Sequence, residues 1–310
     1  MPTGSYAFEG VNGGLLDEVH QTFTSFLFGA LGVNPRWSKA LGIANDLPVT
    51  GNVAKAKMAS MAYGVHEWVD ERHKSKISHV DHEIQVKKWA NAISLKADDL
   101  ADEAANLGQY SMLISEMGDD FDEHGHSLYT DLISRGFAGT IGLAYDGQYF
   151  FDTDHPLPDG TTQSNKTTAA FDSSGTALYA AIMSMSKMKK PNGMFANVRA
   201  THGIFPEALR ATVETVLTLP TLAGGGANPL FKRVEPIFDP RLDAVSSTAW
   251  YLLDASKPLK PFFSANRKPV TTKMSDKDEF EQGVIHWGAD GRYNASYGFY
   301  QLMHGSTGAG

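Results

Sequence analysis

The stretch YDGQYFFDTDHP, residues 145–156, combines three aspartates, a histidine and a proline with several aromatic residues. Its Asp146-Gly147 pair stands between GLAY and QYFF. A type I′ hairpin turn favours such a pair because both of its central residues need a positive φ. The stretch therefore predicts a β-hairpin at whose exit aspartate side chains accept backbone N–H groups and Pro156 fixes the turn.

The same residues allow an alternative, a metal-dependent hydrolase that uses Asp152, Asp154 and His155, because carboxylates and imidazole are metal ligands. An EF-hand loop beginning at Asp152 fails, since Leu157 stands where the sharp turn needs glycine and Gln163 where a bidentate glutamate is needed. We interpret the stretch as structural and keep the hydrolase as the alternative.

Composition narrows the class of protein. The chain has 310 residues with 42% hydrophobic content, enough for one large or two modest domains. Its net charge of -8 suits a nucleic-acid backbone poorly, and the absence of cysteine excludes disulfides and thiolate sites. The N-terminus has no signal-peptide pattern, and the apolar run at 23–33 is too short and too polar to span a bilayer, so we expect a soluble protein.

Other candidate sites lack the required spacing. A zincin motif needs histidines at i and i+4, and none of the histidines of the segment 66–82 meets it with a neighbouring glutamate. These histidines are His66, His73, His79 and His82. His124 and His126 lie two apart on a predicted helix, so their rings diverge. Phosphate-loop, dinucleotide and nucleophile-elbow motifs are absent from the sequence. We predict no catalytic, cofactor or metal site, and no enzyme.

The clearest predicted element is a helix over 98–136. One apolar row repeats every seven residues, beside a row of small residues that includes Gly118 and Gly125. The apolar row is Leu100, Leu107, Ile114, Phe121 and Leu128. A helix of about 35 residues would be roughly 50 Å long. From 98 to 130 it has many acids and no lysine or arginine, so one face is strongly negative.

Two segments precede this helix. Val19, Phe23 and Leu27 recur at helical spacing and predict an amphipathic helix that ends at Gly32 and Asn34-Pro35. Residues 51–96 predict a long hairpin-like excursion with a polar tip at 70–83, followed by one strand that alternates through Val86 and Trp89. Such an excursion has few residues for a core of its own, so it needs a neighbour to pack against.

The rest of the chain mixes helices and strands. TALYAAIMSMSKM (176–188) and PEALRATVETVL (206–217) predict helices, the second with proline in its first turn. RVEPIFDP (233–240) and AWYLLD (249–254) predict strands. The predicted fold class is α+β.

Four stretches in matching order resemble the Mu-like prophage major head subunit family. The opening stretch is one, and the resemblance covers about residues 45–307. The others are WVDERHKSKISHVDHEIQVKKWANAISLKADDL (68–100), AWYLLDASKPLKPFFSANRKP (249–269) and WGADGRYNASYGFYQLMHGS (287–306). Tyr300 departs from the family pattern, which has tryptophan there.

The resemblance implies the Hong Kong 97-type major capsid fold, with an N-arm, an extended E-loop, a P domain with a long spine helix, and an A domain. Its parts map onto five segments. These are 1–50 for the N-terminal arm, 51–97 for the E-loop and flanking strands, 98–171 for the P domain, 172–250 for the A domain, and 251–310 for the return to the P domain and the C-terminus.

The implied function is that of the major capsid protein of a tailed phage or prophage, assembled in the bacterial host cytoplasm into an icosahedral shell around double-stranded DNA. The implied partners are other copies in hexamers and pentamers, a separate scaffolding protein, a portal and decoration proteins. We expect Trp68, Arg72, Lys87 and Trp89 to contact neighbouring subunits. Another virion component, such as a tail or connector part, is a second alternative.

Overall fold

The computed structural model describes residues 13–33, 35–60, 78–97, 108–157, 159–221 and 226–309. The chain forms two compact units. Unit 1 comprises Met1–Arg36, Val86–His126 and Asn266–Tyr293, and unit 2 comprises Trp37–Gln85, Ser127–Ala265 and Asn294–Gly310.

The described helices are α1 (Gly13–Ala30), α2 (Trp37–Ala40), α3 (Gly108–Ser134), α4 (Thr176–Ser186), α5 (Arg210–Thr218), α6 (Pro240–Asp243) and α7 (Glu279–Gln282). The described strands are β1 (Ala44–Leu47), β2 (Val53–Ser60), β3 (Ser78–Gln85), β4 (Lys87–Lys96), β5 (His155–Pro156), β6 (Thr162–Gln163), β7 (Lys166–Thr167), β8 (His202–Phe205), β9 (Glu235–Phe238), β10 (Trp250–Leu253), β11 (Phe262–Ser275), β12 (Val284–Tyr297) and β13 (Met303–Ser306). The mixture confirms the α+β class.

Unit 1 packs two helices on a sheet. β4 pairs antiparallel with residues 284–293 of β12. One core cluster joins Phe23 and Leu27 of α1, Phe121 of α3 and Trp287 of β12, all buried. The predicted first helix is confirmed, and it ends before Gly32, whose φ is 82°.

Within the described residues, the predicted long helix is α3, with 27 residues and a length of about 40 Å. The predicted start at 98–107 lies outside the described residues, and the helix ends at Ser134, two residues before Gly136. Its negative face is partly neutralised, because Arg36 Nη2 lies 2.8 Å from Asp119 and Arg36 Nε 2.7 Å from Glu123.

α1 approaches α3 closely at Gly118. A Cβ at Gly118 would lie 2.6 Å from the Leu27 carbonyl oxygen, whereas a Cβ at Gly125 would meet nothing within 4 Å. We therefore expect Gly118→Ala to lower the free energy of unfolding by about 1–2 kcal/mol, because backbone must move. Gly125→Ala in the same helix should raise it by about 0.5–1 kcal/mol through helix propensity. Urea unfolding of both variants measures this, and changes of the same sign would contradict the packing.

Unit 2 contains a five-stranded sheet in the order β7-β13-β10-β8-β9. β10 is its central strand and is buried on both faces. Because side chains alternate along a strand, Trp250 and Leu252 join a cluster with α4 and α5, while Tyr251 and Leu253 join a second cluster. Phe150 and Phe151 of the opening stretch belong to this second cluster.

The predicted helices and strands of this region are confirmed, with one change. Residues 207–209 form a short 3-10 turn, and α5 begins only at Arg210.

The excursion before α3 is an antiparallel ribbon of β2 and β3, defined here as the β2–β3 ribbon, in which Val53 lies opposite Gln85 and Ser60 opposite Ser78. Within the described part of the chain, these two strands form a sheet of their own. The prediction of one strand continuing through Val86 is wrong, since β3 ends at Gln85 and β4 pairs with β12 instead. Residues 78–83 of the predicted polar tip are strand, and 61–77 lie outside the described residues.

The base of the ribbon is fastened within unit 2. Asn294 Nδ2 donates to the Gln85 carbonyl at 2.8 Å, and His82 Nε2 lies 2.8 Å from Ser296 Oγ. Ala54 and Ile84 are buried on one face, and burial lowers the pKa of His82. The base of the ribbon is therefore fixed by contacts within unit 2.

Candidate functional site

Only two of the four predicted contact residues lie in the described part of the chain. Trp68 and Arg72 lie outside the described residues, whereas Lys87 and Trp89 are both in β4 of unit 1. Lys87 is exposed, and its Nζ lies 6.0 Å from the centroid of the Trp89 ring.

Trp89 is half-buried against α3 and β12. Its Nε1 donates to the Tyr293 carbonyl at 2.9 Å, and its ring centroid lies 4.1 Å from that of His124. His124 Nδ1 is 3.0 Å from the Tyr293 hydroxyl. Burial lowers the pKa of His124, and burial, with a smaller contribution from Asp122, raises the pKa of Tyr293 to about 12. Both rings are therefore uncharged near neutral pH.

These three rings border a cleft of about 210 Å³ in unit 1, defined here as the Trp89 cleft. Its lining residues are Trp89, Ala90, Asn91, Asp120, Phe121, His124 and Tyr293. Sequence patterns point to Trp89 but not to its partners on α3 and β12. A usable signal existed for His124, which lies three residues from Phe121 and so shares its helix face.

The opening stretch turns back on itself at Asp146-Gly147, where Ala144 N donates to the Gln148 carbonyl at 2.8 Å, but the predicted type I′ hairpin does not form. Gly147 has a φ of 85°, but Asp146 has no positive φ, so the turn is not type I′. Gly147 N donates to the Ala144 carbonyl at 3.0 Å in a tight turn. Pro156 lies in β5, which pairs with β6, so the hairpin turn follows it. The prediction of aspartate acceptors holds for Asp152, which accepts from Thr153 N at 2.8 Å.

A buried polar group organises the stretch. We define the His155 cluster as Asp146, His155, Asn165 and Tyr300. The fully buried His155 ring stacks on Tyr300 at 3.6 Å between centroids and 7° between planes. Its Nδ1 lies 2.6 Å from Asp146 Oδ2 and its Nε2 3.1 Å from Asn165 Oδ1. The cluster joins three separate parts of the chain.

Asn165 sets the hydrogen-bonding of this cluster. Its Nδ2 donates to the Phe150 carbonyl at 2.8 Å and to the Tyr300 carbonyl at 3.3 Å. Its Oδ1 is therefore the acceptor, both for Asp152 N at 2.9 Å and for His155 Nε2. His155 Nε2 therefore donates to Asn165 Oδ1, and the Asp146 carboxylate lies against the other ring nitrogen.

This geometry does not support the alternative of a metal-dependent hydrolase. Both ring nitrogens of His155 already have partners, Asp152 accepts backbone N–H groups, and Asp154 is exposed. Across the described residues, no group of three histidine, aspartate or glutamate side chains is placed to hold a metal ion. Likewise, no helix in the described ranges is both long and apolar enough to cross a membrane.

The chain is similar to a known protein family. A family model of the Mu-like prophage major head subunit gpT matches residues 16–181 and 241–309. The match begins at residue 16, whereas the resemblance seen in the sequence began at about residue 45. The match does not include residues 182–240, a segment that contains α5.

Similar proteins include two curated relatives and a solved capsid structure. The major head subunit of the Mu-like prophage FluMu of Haemophilus influenzae is 29% identical over 267 residues, covering 83% of this chain and 64% of that protein. The major capsid protein of Escherichia phage Mu is 25% identical over 240 residues, covering 76% and 55%. This chain thus spans less than two thirds of either relative. A chain of the procapsid of bacteriophage JBD30 aligns with a TM-score of 0.56 at 22% identity, covering 96% of this chain and 76% of that one.

Proposed function

The chain belongs to the Mu-like prophage major head subunit gpT family and has the Hong Kong 97-type capsid fold, and on that premise we propose that it is the major capsid protein of a tailed phage or prophage. The family match over 16–181 and 241–309, which reaches both units, is the observation that carries the proposal. The role is structural and consists of assembly into an icosahedral shell that encloses double-stranded DNA.

The β2–β3 ribbon supports assembly on physical grounds. Two strands alone are marginally stable in water, and a third strand or a packed face is needed. Asn294 and Ser296 hold the ribbon's base through hydrogen bonds to the Gln85 carbonyl and to His82. The paired strands end at Ser60 and Ser78. We propose that the ribbon is the E-loop and lies over a neighbouring subunit, so that many weak contacts add up in a closed shell.

The parts of the capsid fold are assigned as part of the same proposal. Residues 1–50 are the N-arm, 51–97 the E-loop with flanking strands, 98–171 the P domain with α3 as spine, 172–250 the A domain, and 251–310 the return to the P domain. Trp68, Arg72, Lys87 and Trp89 are the proposed contacts between subunits. The exposed Lys87 and half-exposed Trp89 leave part of each side chain for such a contact.

The proposed partners follow from this role. Copies of the chain form hexamers and pentamers in the bacterial cytoplasm, with a separate scaffolding protein, a portal and decoration proteins. The negative charge of α3, where this helix lines the lumen, repels packaged DNA. Locating α3 on the outer surface of a particle would end that part of the proposal.

Sedimentation of the purified chain tests the proposal. We expect fast-sedimenting closed particles when the chain is produced with the genes beside it, and poorly sized or incomplete assemblies when it is produced alone. Correctly sized shells from the chain alone would remove the need for a scaffolding protein. Rings or tubes would favour a tail or connector component, and a monomer in both preparations would contradict a capsid role.

A further inference from the structure

The Trp89 cleft has the chemistry of a receptor for a cation. The faces of aromatic rings attract a lysine or arginine head group within about 6 Å. Trp89 and Tyr293 have centroids 6.4 Å apart, and His124 lies 4.1 Å from Trp89. Because burial lowers the pKa of His124, this wall does not repel a cation at neutral pH.

The cleft also has a negative rim. Asp120 lines the cleft, is exposed and accepts a long hydrogen bond of 3.4 Å from Asn91. Glu116, one helical turn earlier, is exposed too. Arg36 pairs with Asp119 and Glu123 on the same helix, but among the described residues no cation pairs with Asp120.

Size and access are consistent with an incoming side chain. A volume of about 210 Å³ leaves room for the end of a long side chain. Lys87 approaches the Trp89 ring at 6.0 Å but is not among the residues that line the cleft. The Trp89 ring can therefore contact a cation, and the Lys87 side chain does not line the cleft beside that ring.

We propose that the Trp89 cleft binds a lysine or arginine side chain from residues 72–76 of a second copy of this chain. This segment, RHKSK, carries Arg72, Lys74 and Lys76 within five residues, and it connects the ends of the β2–β3 ribbon at Ser60 and Ser78. Charge complementarity selects it as the occupant of an aromatic cleft with an acidic rim. The inference rests on the proposed assembly and adds the receiving site and its ligand class.

Cysteine cross-linking tests the contact, because the chain contains no cysteine of its own. Ser75→Cys keeps every cation of the segment, and Asn91→Cys places a thiol in the cleft. In particles of the double variant, mild oxidation with diamide should link chains into a ladder on a non-reducing gel. The matched control pairs Ser75→Cys with Ala211→Cys, an exposed position of α5 in unit 2, and should give no ladder.

A charge variant separates recognition from mere proximity. Adding Asp120→Asn to the cross-linking pair should lower the ladder yield about two- to fivefold, and Trp89→Leu should lower it further. Particles without a ladder, or a disulfide within single chains, would overturn the docking and leave the capsid proposal standing. A ladder unaffected by both variants would overturn the cation site. Absence of particles would count against the capsid proposal itself, and this contact would fall with it.

Discussion

Replacing Asn165 with alanine should destabilise unit 2 by about 3–5 kcal/mol. The substitution leaves two carbonyls, of Phe150 and Tyr300, and the backbone N–H of Asp152 without their partner, and it removes the acceptor of His155 Nε2. Each buried group left unpaired costs about 1–3 kcal/mol, and entering water recovers part of that sum. Urea unfolding of the purified subunit, followed by near-ultraviolet circular dichroism, measures the change.

Asn91→Ala is the matched control. Asn91 is a half-buried amide whose hydrogen bond to Asp120 is 3.4 Å long, so its loss should change stability by less than about 0.5 kcal/mol. An effect of Asn165→Ala as small as that of the control would mean that the His155 cluster does not organise the opening stretch.

Acidification should destabilise unit 2 through His304. This histidine of β13 is buried, and within the described residues neither ring nitrogen has a hydrogen-bond partner. Burial disfavours the charged ring and lowers the pKa from 6.5 to about 4. Between these values the unfolded chain binds a proton that the folded chain does not, so stability is complete above pH 6.5 and declines as the pH falls towards 4. The total loss is about 3 kcal/mol.

His304→Leu isolates this contribution, since every carboxylate titrates in both proteins. We expect the variant to be at least as stable at pH 7, because it removes two unpaired polar atoms. As the pH falls from 6.5 to 4, the difference in unfolding free energy between variant and parent should widen by about 3 kcal/mol. Parallel pH profiles would show that His304 is protonated equally in both states.

Local sequence patterns predicted those elements whose partners lie at a regular spacing. The apolar positions of α1 and β10 specify buried faces, and the structure buries them. Of the apolar row of α3, Ile114 and Phe121 are buried and Leu128 is partly buried, while Leu100 and Leu107 lie outside the described residues. The small-residue row of α3 was also informative, since Gly118 is the point of close approach to α1.

Local patterns failed where distant residues decide the conformation. Asp146-Gly147 has the composition of a hairpin turn, but the Asp146 carboxylate is held by His155, nine residues away, and the ring of His155 by Tyr300. Residues 78–96 alternate as one strand, yet β3 and β4 belong to different sheets because each follows its own partner. The Trp89 cleft is completed by Tyr293 of β12, about 200 residues further along the chain. Local spacing patterns do not predict contacts between residues so far apart in sequence.

The most direct test of the capsid role is electron microscopy of the fastest-sedimenting fraction, from the chain produced together with the genes beside it. Closed shells with ordered capsomers, in which the two units and the β2–β3 ribbon of this structure fit each subunit's density, are the predicted result. Open rings, tubes or dispersed single chains in that fraction would contradict the assignment, whatever the family resemblance.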